Sequence, residues 1–169
     1  MKFFSGFCFQ NEAKLFNEYL EASDFCVAGF SRGAIKAFEY AFTCRDRIDK
    51  LQLFSPAFFQ DKSDKFKRLQ TISFAKNQDM YIQNFLNQVK YPCDIDIEKY
   101  IKKSSSTELE ELLNYDWDVK KIQALKDKNI DIEVYVGGDD KIINPNAVLD
   151  FFTPYANIYF IKNIGHLLR

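Results

Sequence analysis

The chain has 169 residues, enough for one domain with a substantial buried core. Its 23 basic and 24 acidic side chains leave a net charge of −1 and are spread along the chain, which argues against a nucleic-acid-binding surface. No apolar run is long enough to cross a membrane, and no small-residue cleavage site follows the amino terminus, so we expect a cytoplasmic protein. The four cysteines lack metal-ligand spacing and are expected to be reduced thiols.

Short apolar runs alternate with helical patterns along the first third of the chain. Strands are predicted at residues 2–5, 25–30 and 51–55. A helix is predicted from residue 11, where apolar residues recur at helical spacing, and a second helix directly after Ser31. The same alternation returns near the carboxyl end, with strands at 131–136 and 157–161 and a helix that begins at Pro145. This pattern predicts right-handed βαβ units and an α/β domain with about five mostly parallel strands.

Residues 57–128 are too long for a single crossover between two parallel strands. A helical stripe of apolar residues runs from Tyr81 to Val89, and Thr107 to Glu110 matches a capping box. We therefore interpret 57–128 as a helical lid above the carboxyl ends of the strands. The core, 1–56 and 129–169, completes a single domain.

Only one helix and one strand fit between Gly6 and Ser31, and few residues follow His166. Successive right-handed crossovers in one direction place their helices on one face of the sheet. We expect part of the insertion, or a second subunit in a homo-oligomer, to cover the other face.

The residues Gly29-Phe-Ser31-Arg-Gly33 match G-x-S-x-G, with an apolar strand before the serine and an amphipathic helix after it. This motif is a strand-to-helix turn that exposes a nucleophilic serine and needs small neighbours. The competing interpretation is that both glycines serve packing alone. Serine needs an adjacent base, and His166 is the only histidine in the chain.

The third catalytic candidate lies in the turn Gly137-Gly-Asp-Asp140, which follows a predicted strand. A carboxylate there would orient the imidazole and stabilise its protonated form. We favour Asp140 over Asp139, and the alternative is a solvated acidic turn. The oxyanion would need two backbone N–H donors, which we assign to Arg32, directly after the nucleophile, and to Phe7 in the loop after the first strand.

Together the loops Ser5-Gly-Phe7, Gly-Phe-Ser31-Arg-Gly, Gly-Gly-Asp-Asp140 and Gly-His166 resemble α/β-hydrolases, in which the triad has the order Ser, Asp, His. The small size and the Phe-Ser-Gly-Phe start look most like the pimeloyl-[acyl-carrier protein] methyl ester esterases of bacterial biotin synthesis, in particular the compact BioV type. The resemblance implies a small α/β-hydrolase fold with a helical lid. It also implies hydrolysis of a methyl ester on a carrier-bound pimeloyl chain, without metal or cofactor.

An acyl carrier protein is acidic as a family, so cations are expected near the mouth of the lid. The candidates for binding substrate or partner are Arg32, Lys65, Lys67 and Arg68. Two other enzymes fit the same triad, a thioesterase and a generic small carboxylesterase. Outside enzymes, the alternative is a catalytically inactive hydrolase fold that serves as a binding module.

Overall fold

Five parallel strands form one sheet, and their spatial order follows their order in the chain. The computed structural model describes residues 1–169. The strands are β1 (Lys2–Phe4), β2 (Cys26–Phe30), β3 (Lys50–Phe54), β4 (Asp131–Gly137) and β5 (Asn157–Ile161). The prediction of an α/β domain with about five strands is confirmed, and the sheet is parallel throughout.

Six helices accompany the sheet: α1 (Arg32–Thr43), α2 (Asp64–Lys76), α3 (Gln78–Lys90), α4 (Ser106–Asn114), α5 (Val119–Asp127) and α6 (Pro145–Phe152). Helices α1 and α6 pack on the sheet, and α5 packs against α1. The helix predicted from residue 11 is only a 3₁₀ turn, Glu12–Phe16, and Asn11, directly before it, adopts a left-handed conformation. None of the helices combines the length and apolar character needed to span a bilayer.

The face of the sheet opposite α1 is covered by the first crossover rather than by the insertion. The ring of Phe16 packs 4.9 Å from those of Phe30 and Phe54. Tyr19 lies 5.4 Å from Tyr135 in the same layer. The expectation that part of the insertion covers this face is therefore corrected. That a second subunit also packs on it stays a prediction.

Beside these aromatic rings the same face carries a buried polar network. Glu133 accepts hydrogen bonds from Lys50 Nζ at 2.6 Å and from Gln52 Nε2 and the Tyr135 hydroxyl at 2.8 Å each. Lys50 also lies 2.8 Å from Glu21 of the first crossover. Burial would raise the pKa of the Glu133 carboxyl, but these hydrogen bonds, above all the one from Lys50, hold it below its usual value.

Replacing Glu133 with glutamine is therefore expected to lower the free energy of unfolding by about 1.5–3 kcal/mol at pH 7, the range for a hydrogen-bonded charge. A carboxyl whose pKa is lowered by folding stabilises the protein above its unfolded pKa of about 4.3, and this contribution is lost as pH falls through the lower folded value. Urea unfolding as a function of pH measures this difference. The exposed Glu110 provides the control, Glu110→Gln. An equal loss for Glu133→Gln at pH 7 and at the lowest pH where the protein stays folded would contradict the assignment.

The insertion 57–128 has two structural parts. Residues of α2, α3 and α4 line a cavity that reaches Ser31. In contrast, α5 belongs with the helices beside the sheet, and its Ile122 and Leu125 are fully buried. The boundary of the proposed lid therefore moves to the residues before α5, and its role as a lid stays a prediction.

The start of α4 differs from the sequence-based expectation. The capping box is formed by Ser105 and Glu108 rather than by Thr107 and Glu110. Both pairs match the S/T-x-x-E pattern. The earlier start adds part of a turn before Leu109, the first of the buried leucines of this helix.

Candidate active site

Ser31 lies at the sharp turn between β2 and α1, at the carboxyl end of the central strands. Its backbone has φ 53° and ψ −116°, a strained conformation for a residue with a side chain. The flanking glycines are needed because a Cβ on Gly29 would collide with the Gly33 carbonyl and one on Gly33 with the Phe4 carbonyl. The Ser31 amide donates to Phe54 O at 2.9 Å, which ties the turn to β3.

His166 follows β5 and reaches Ser31 from the opposite end of the chain. Its Nε2 lies 3.0 Å from Ser31 Oγ, and the residue is fully buried. Ser55, the residue after β3, donates its hydroxyl to the His166 carbonyl at 2.8 Å. The loop that carries the imidazole is thus anchored to the sheet directly beside the nucleophile.

Asp140 lies in the turn after β4, behind the imidazole. Its Oδ2 is 2.6 Å from His166 Nδ1, while Oδ1 accepts the amides of Ile142 at 2.7 Å and Ile143 at 3.1 Å. An Nδ1–H donated to Asp140 leaves Nε2 of the neutral imidazole free to accept the Ser31 proton. The carboxylate of Asp139 makes no hydrogen bond, and its amide donates to Ile164 O at 2.9 Å. The geometry therefore selects Asp140 as the partner of His166.

A cavity of about 700 Å³ opens above Ser31 between the core and the insertion. This volume lies within the usual range of small-molecule sites. Its lining is mixed, with apolar side chains beside several amide and hydroxyl groups. The apolar members include Phe7, Phe59, Phe66, Phe85, Leu109, Leu112, Leu113, Ile142 and Ile143, and the polar ones include Gln70, Asn84, Gln88 and Asn144.

The two amides predicted to bind an oxyanion are available. The N–H of Phe7 donates no hydrogen bond in the chain. The N–H of Arg32, at the first position of α1, has no loop or side-chain acceptor. Phe7 lines the same cavity as Ser31. Unpaired N–H groups at a helix start and in an adjoining loop are the donors that a developing oxyanion requires.

The side chain of Arg32 does not lie where a docking cation is needed, which corrects that part of the expectation. Its guanidinium is buried and donates to Glu108 Oε1 at 3.0 Å and to Glu111 Oε2 at 2.6 Å. Both carboxylates belong to α4, so this ion pair fastens α4 to the first turn of α1. The cause is the close packing of α4 over the nucleophile turn, which the sequence does not reveal.

The other predicted docking residues lie together on α2. Lys65 and Arg68 are exposed, Lys67 is half-buried, and none of the three forms an ion pair. Phe66 and Gln70 of the same helix line the cavity. A set of free cations thus occupies the helix at the cavity wall. No group of three or more His, Cys, Asp and Glu side chains is placed to hold a metal ion.

Sequence reasoning missed three residues that support the site: Glu12, Ser55 and Ser104. Ser55 had a usable signal, since it directly follows a strand whose carboxyl end lies beside the nucleophile. Glu12 is fully buried and accepts the Gly6 amide at 2.7 Å, but an acid in a helical pattern is usually solvated. Ser104 accepts the Cys8 amide at 2.9 Å, a contact across distant parts of the chain.

No protein-family model and no curated protein matches the chain. Solved structures do. Naproxen esterase from Bacillus subtilis matches with a TM-score of 0.58 and 16% identity, over 85% of this chain and 53% of that one. MenH from S. aureus matches with a TM-score of 0.59 and 15% identity, over 97% and 85%. Bromoperoxidase from Bacillus anthracis matches with a TM-score of 0.62 and 16% identity, over 85% and 60%.

The chain has the α/β-hydrolase fold. The five parallel strands, the strained serine between β2 and α1, and the similarity to these structures agree on it. The chain spans about half the length of the naproxen esterase that it matches. At such low identities the α/β-hydrolase fold is what the similarity establishes, and activity has to be argued from the site.

Proposed function

We propose that this protein is a serine-type carboxylic ester hydrolase. Ser31 Oγ attacks the ester carbonyl carbon while His166 Nε2 takes the hydroxyl proton, and Asp140 stabilises the resulting imidazolium. The carbonyl oxygen becomes an oxyanion that accepts the Phe7 and Arg32 amides. The tetrahedral intermediate then collapses, the bond to the alkoxide breaks, and His166 returns the proton to this leaving group. Water then attacks the acyl carbon of the acyl-enzyme while His166 Nε2 takes one of its protons. The bond between the acyl carbon and Ser31 Oγ breaks, His166 returns the proton to Oγ, and the carboxylic acid leaves.

The observation that carries the proposal is the buried relay from Ser31 through His166 to Asp140. The 3.0 Å hydrogen bond between Ser31 Oγ and His166 Nε2 can pass the serine proton to the imidazole. The 2.6 Å hydrogen bond between His166 Nδ1 and Asp140 Oδ2 orients the ring and stabilises the imidazolium that forms. All three residues are buried, while Ser31 borders the cavity. A binding module would not require a serine in a strained backbone conformation that is hydrogen-bonded to a buried imidazole–carboxylate pair.

For the substrate, we propose the methyl ester at the end of a pimeloyl chain carried by an acyl carrier protein. Support comes from the small size of the chain and its Phe-Ser-Gly-Phe start, which look most like the pimeloyl-[acyl-carrier protein] methyl ester esterases of the compact BioV type. The apolar side of the cavity suits a short methylene chain, and its amide side chains suit the polar groups at the ends of that chain.

The deciding experiment incubates the protein with methyl-pimeloyl carrier protein and follows the intact mass. Methyl ester hydrolysis leaves the acyl chain on the carrier and removes one methylene equivalent from its mass. Release of the whole acyl chain would identify a thioesterase instead. Hydrolysis of small esters only would point to a generic carboxylesterase, and binding without turnover would point to a binding module.

Docking of the carrier is proposed to use the free cations of α2. Reversing Lys65, Lys67 and Arg68 to glutamate should raise KM for the carrier-bound ester several-fold and leave small soluble esters unaffected. Each exposed charge contributes only about 0–1 kcal/mol, so the triple variant is used. KM of the wild type should also rise with salt, because the Debye length falls from about 10 Å at 0.1 M to about 3 Å at 1 M.

The matched control reverses three cations away from the cavity, Lys14, Arg45 and Lys126, which form no ion pair. The net charge changes by the same amount in both triple variants. If the control raises KM as much as the α2 variant does, the effect is one of total charge. In that case α2 is not the docking site.

A further inference from the structure

The loop after β1 is held on both sides of Phe7. The Gly6 amide donates to Glu12 Oε1 at 2.7 Å, and the Cys8 amide donates to Ser104 Oγ at 2.9 Å. The Phe7 amide between them has no acceptor. Each neighbouring peptide unit is therefore fixed by a side chain, and the one N–H left free is the one assigned to the oxyanion.

Contacts with the insertion continue along this loop. The Phe7 ring packs edge-on to Phe85 of α3, with ring centroids 5.4 Å apart. The Cys8 carbonyl accepts the amide of Lys102 at 2.9 Å. The Gln10 amide donates to the Tyr100 carbonyl at 2.8 Å, and Phe9 forms a β-bridge with Ile101. The segment 100–104 of the insertion thus runs antiparallel to the loop and sets its position.

Burying the carboxyl group of Glu12 at this point in the fold lowers the stability of the protein. Its side chain is fully buried, and its Oε2 has no hydrogen-bond partner. Burial raises the pKa of its carboxyl, although the hydrogen bond from Gly6 acts in the opposite direction. A buried polar atom without a partner destabilises the fold, so a residue that keeps one is expected to have another role.

We propose that Glu12 and Ser104 are positioning residues that hold the Phe7 amide toward the ester oxygen, so that the insertion takes part in building the oxyanion hole. The inference rests on the proposed ester hydrolysis. An amide that stabilises an oxyanion must be oriented before the charge develops, because reorientation during the reaction removes the benefit. Without Ser104, the peptide unit between Phe7 and Cys8 loses the hydrogen bond that fixes its orientation. Without Glu12, the peptide unit between Ser5 and Gly6 loses its hydrogen bond in the same way.

The test compares Ser104→Ala, Ser104→Thr, Glu12→Ala and Glu12→Gln on a small soluble ester. The two alanine variants should lower kcat about 10- to 100-fold, less than the ~10²–10³ that follows the loss of a whole oxyanion donor. KM should change less than threefold, since the ground-state ester makes weaker use of the amide. Threonine keeps the hydroxyl and glutamine keeps the carbonyl oxygen, so these two variants should recover most of the rate.

A second measurement separates positioning from stability. An alkyl trifluoromethyl ketone accepts Ser31 Oγ at its carbonyl carbon and becomes a tetrahedral anion, while the serine proton passes to His166. Its affinity should fall in parallel with kcat in the alanine variants, whereas the affinity for the uncharged alcohol product, which has no oxyanion, should not. Exposed residues give the controls, Glu18→Gln in the first crossover and Ser106→Ala beside Ser104. Both controls should keep wild-type kcat.

The outcomes are distinct. If Glu12→Ala does not fold, Ser104→Ala and the rescue variants decide the question. If the wild type is active and Ser104→Ala lowers only the melting temperature, with kcat and ketone affinity unchanged, the positioning role is overturned and the proposed function stands. If wild-type turnover does not exceed that of Ser31→Ala, the proposed function fails and this inference falls with it.

Discussion

Replacing Ser31 with alanine is expected to lower kcat for ester hydrolysis on the order of 10⁴- to 10⁶-fold, as is typical for a triad nucleophile. The reason is that Ser31 Oγ is the atom that forms the acyl bond and the one that His166 Nε2 faces at 3.0 Å. Turnover of a p-nitrophenyl ester by the purified variant measures the loss. The residual rate should come from the oxyanion donors and from binding alone.

Folding and substrate binding should be almost unchanged in Ser31→Ala. Alanine meets the same positive φ as serine, so the substitution adds no new backbone strain. The lost hydrogen bond to His166 is worth about 1 kcal/mol. Melting temperature and the affinity for a carrier-bound ester provide the controls. A variant that keeps more than a tenth of the wild-type rate would remove Ser31 from the mechanism.

Replacing Asp140 with asparagine should lower kcat roughly 10⁴-fold, because an amide favours the wrong imidazole tautomer. The backbone amides of Ile142 and Ile143 donate to Oδ1, so an asparagine would keep its oxygen there. Its NH₂ group would then face His166 Nδ1 and force the proton onto Nε2. Steady-state kinetics at a fixed pH measures the effect.

The neighbouring acid supplies the matched control. Asp139→Asn should change kcat by much less, since the Asp139 carboxylate makes no hydrogen bond and only its backbone joins the loop to Ile164. Loss of activity in Asp139→Asn with little loss in Asp140→Asn would mean that the acid loop adopts another register in solution.

The elements and residues that sequence reasoning found are those with strong local signals. Ser31 stands between two glycines, a strand and a helix, and Asp140 and His166 stand beside glycines after predicted strands. Each signal lies within a few residues of the side chain it concerns. The parallel sheet follows in the same way from the alternation of short apolar runs and amphipathic segments.

Contacts between distant parts of the chain were beyond such reasoning. The ion pair of Arg32 with Glu108 and Glu111 and the hydrogen bond from Cys8 to Ser104 depend on how α4 and its preceding loop pack on the core. The polar network on one face of the sheet has a local signal in the sequence. Polar and apolar residues alternate along β3 and β4, which indicates a sheet with one partly polar face, unlike the continuous apolar runs usual in parallel sheets.

The order of the strands has a consequence for how the site comes together. In three of the four strand pairs a short crossover connects the two strands. In the fourth pair, β3–β4, the connection is the long insertion. Ser31 belongs to the segment before this pair, and Asp140 and His166 belong to the segment after it. The nucleophile and its base therefore belong to two halves of the sheet, which are joined only where β3 pairs with β4. Pairing β3 with β4 has to overcome the entropic cost of closing the long insertion between them. Only after this pairing can His166 activate Ser31.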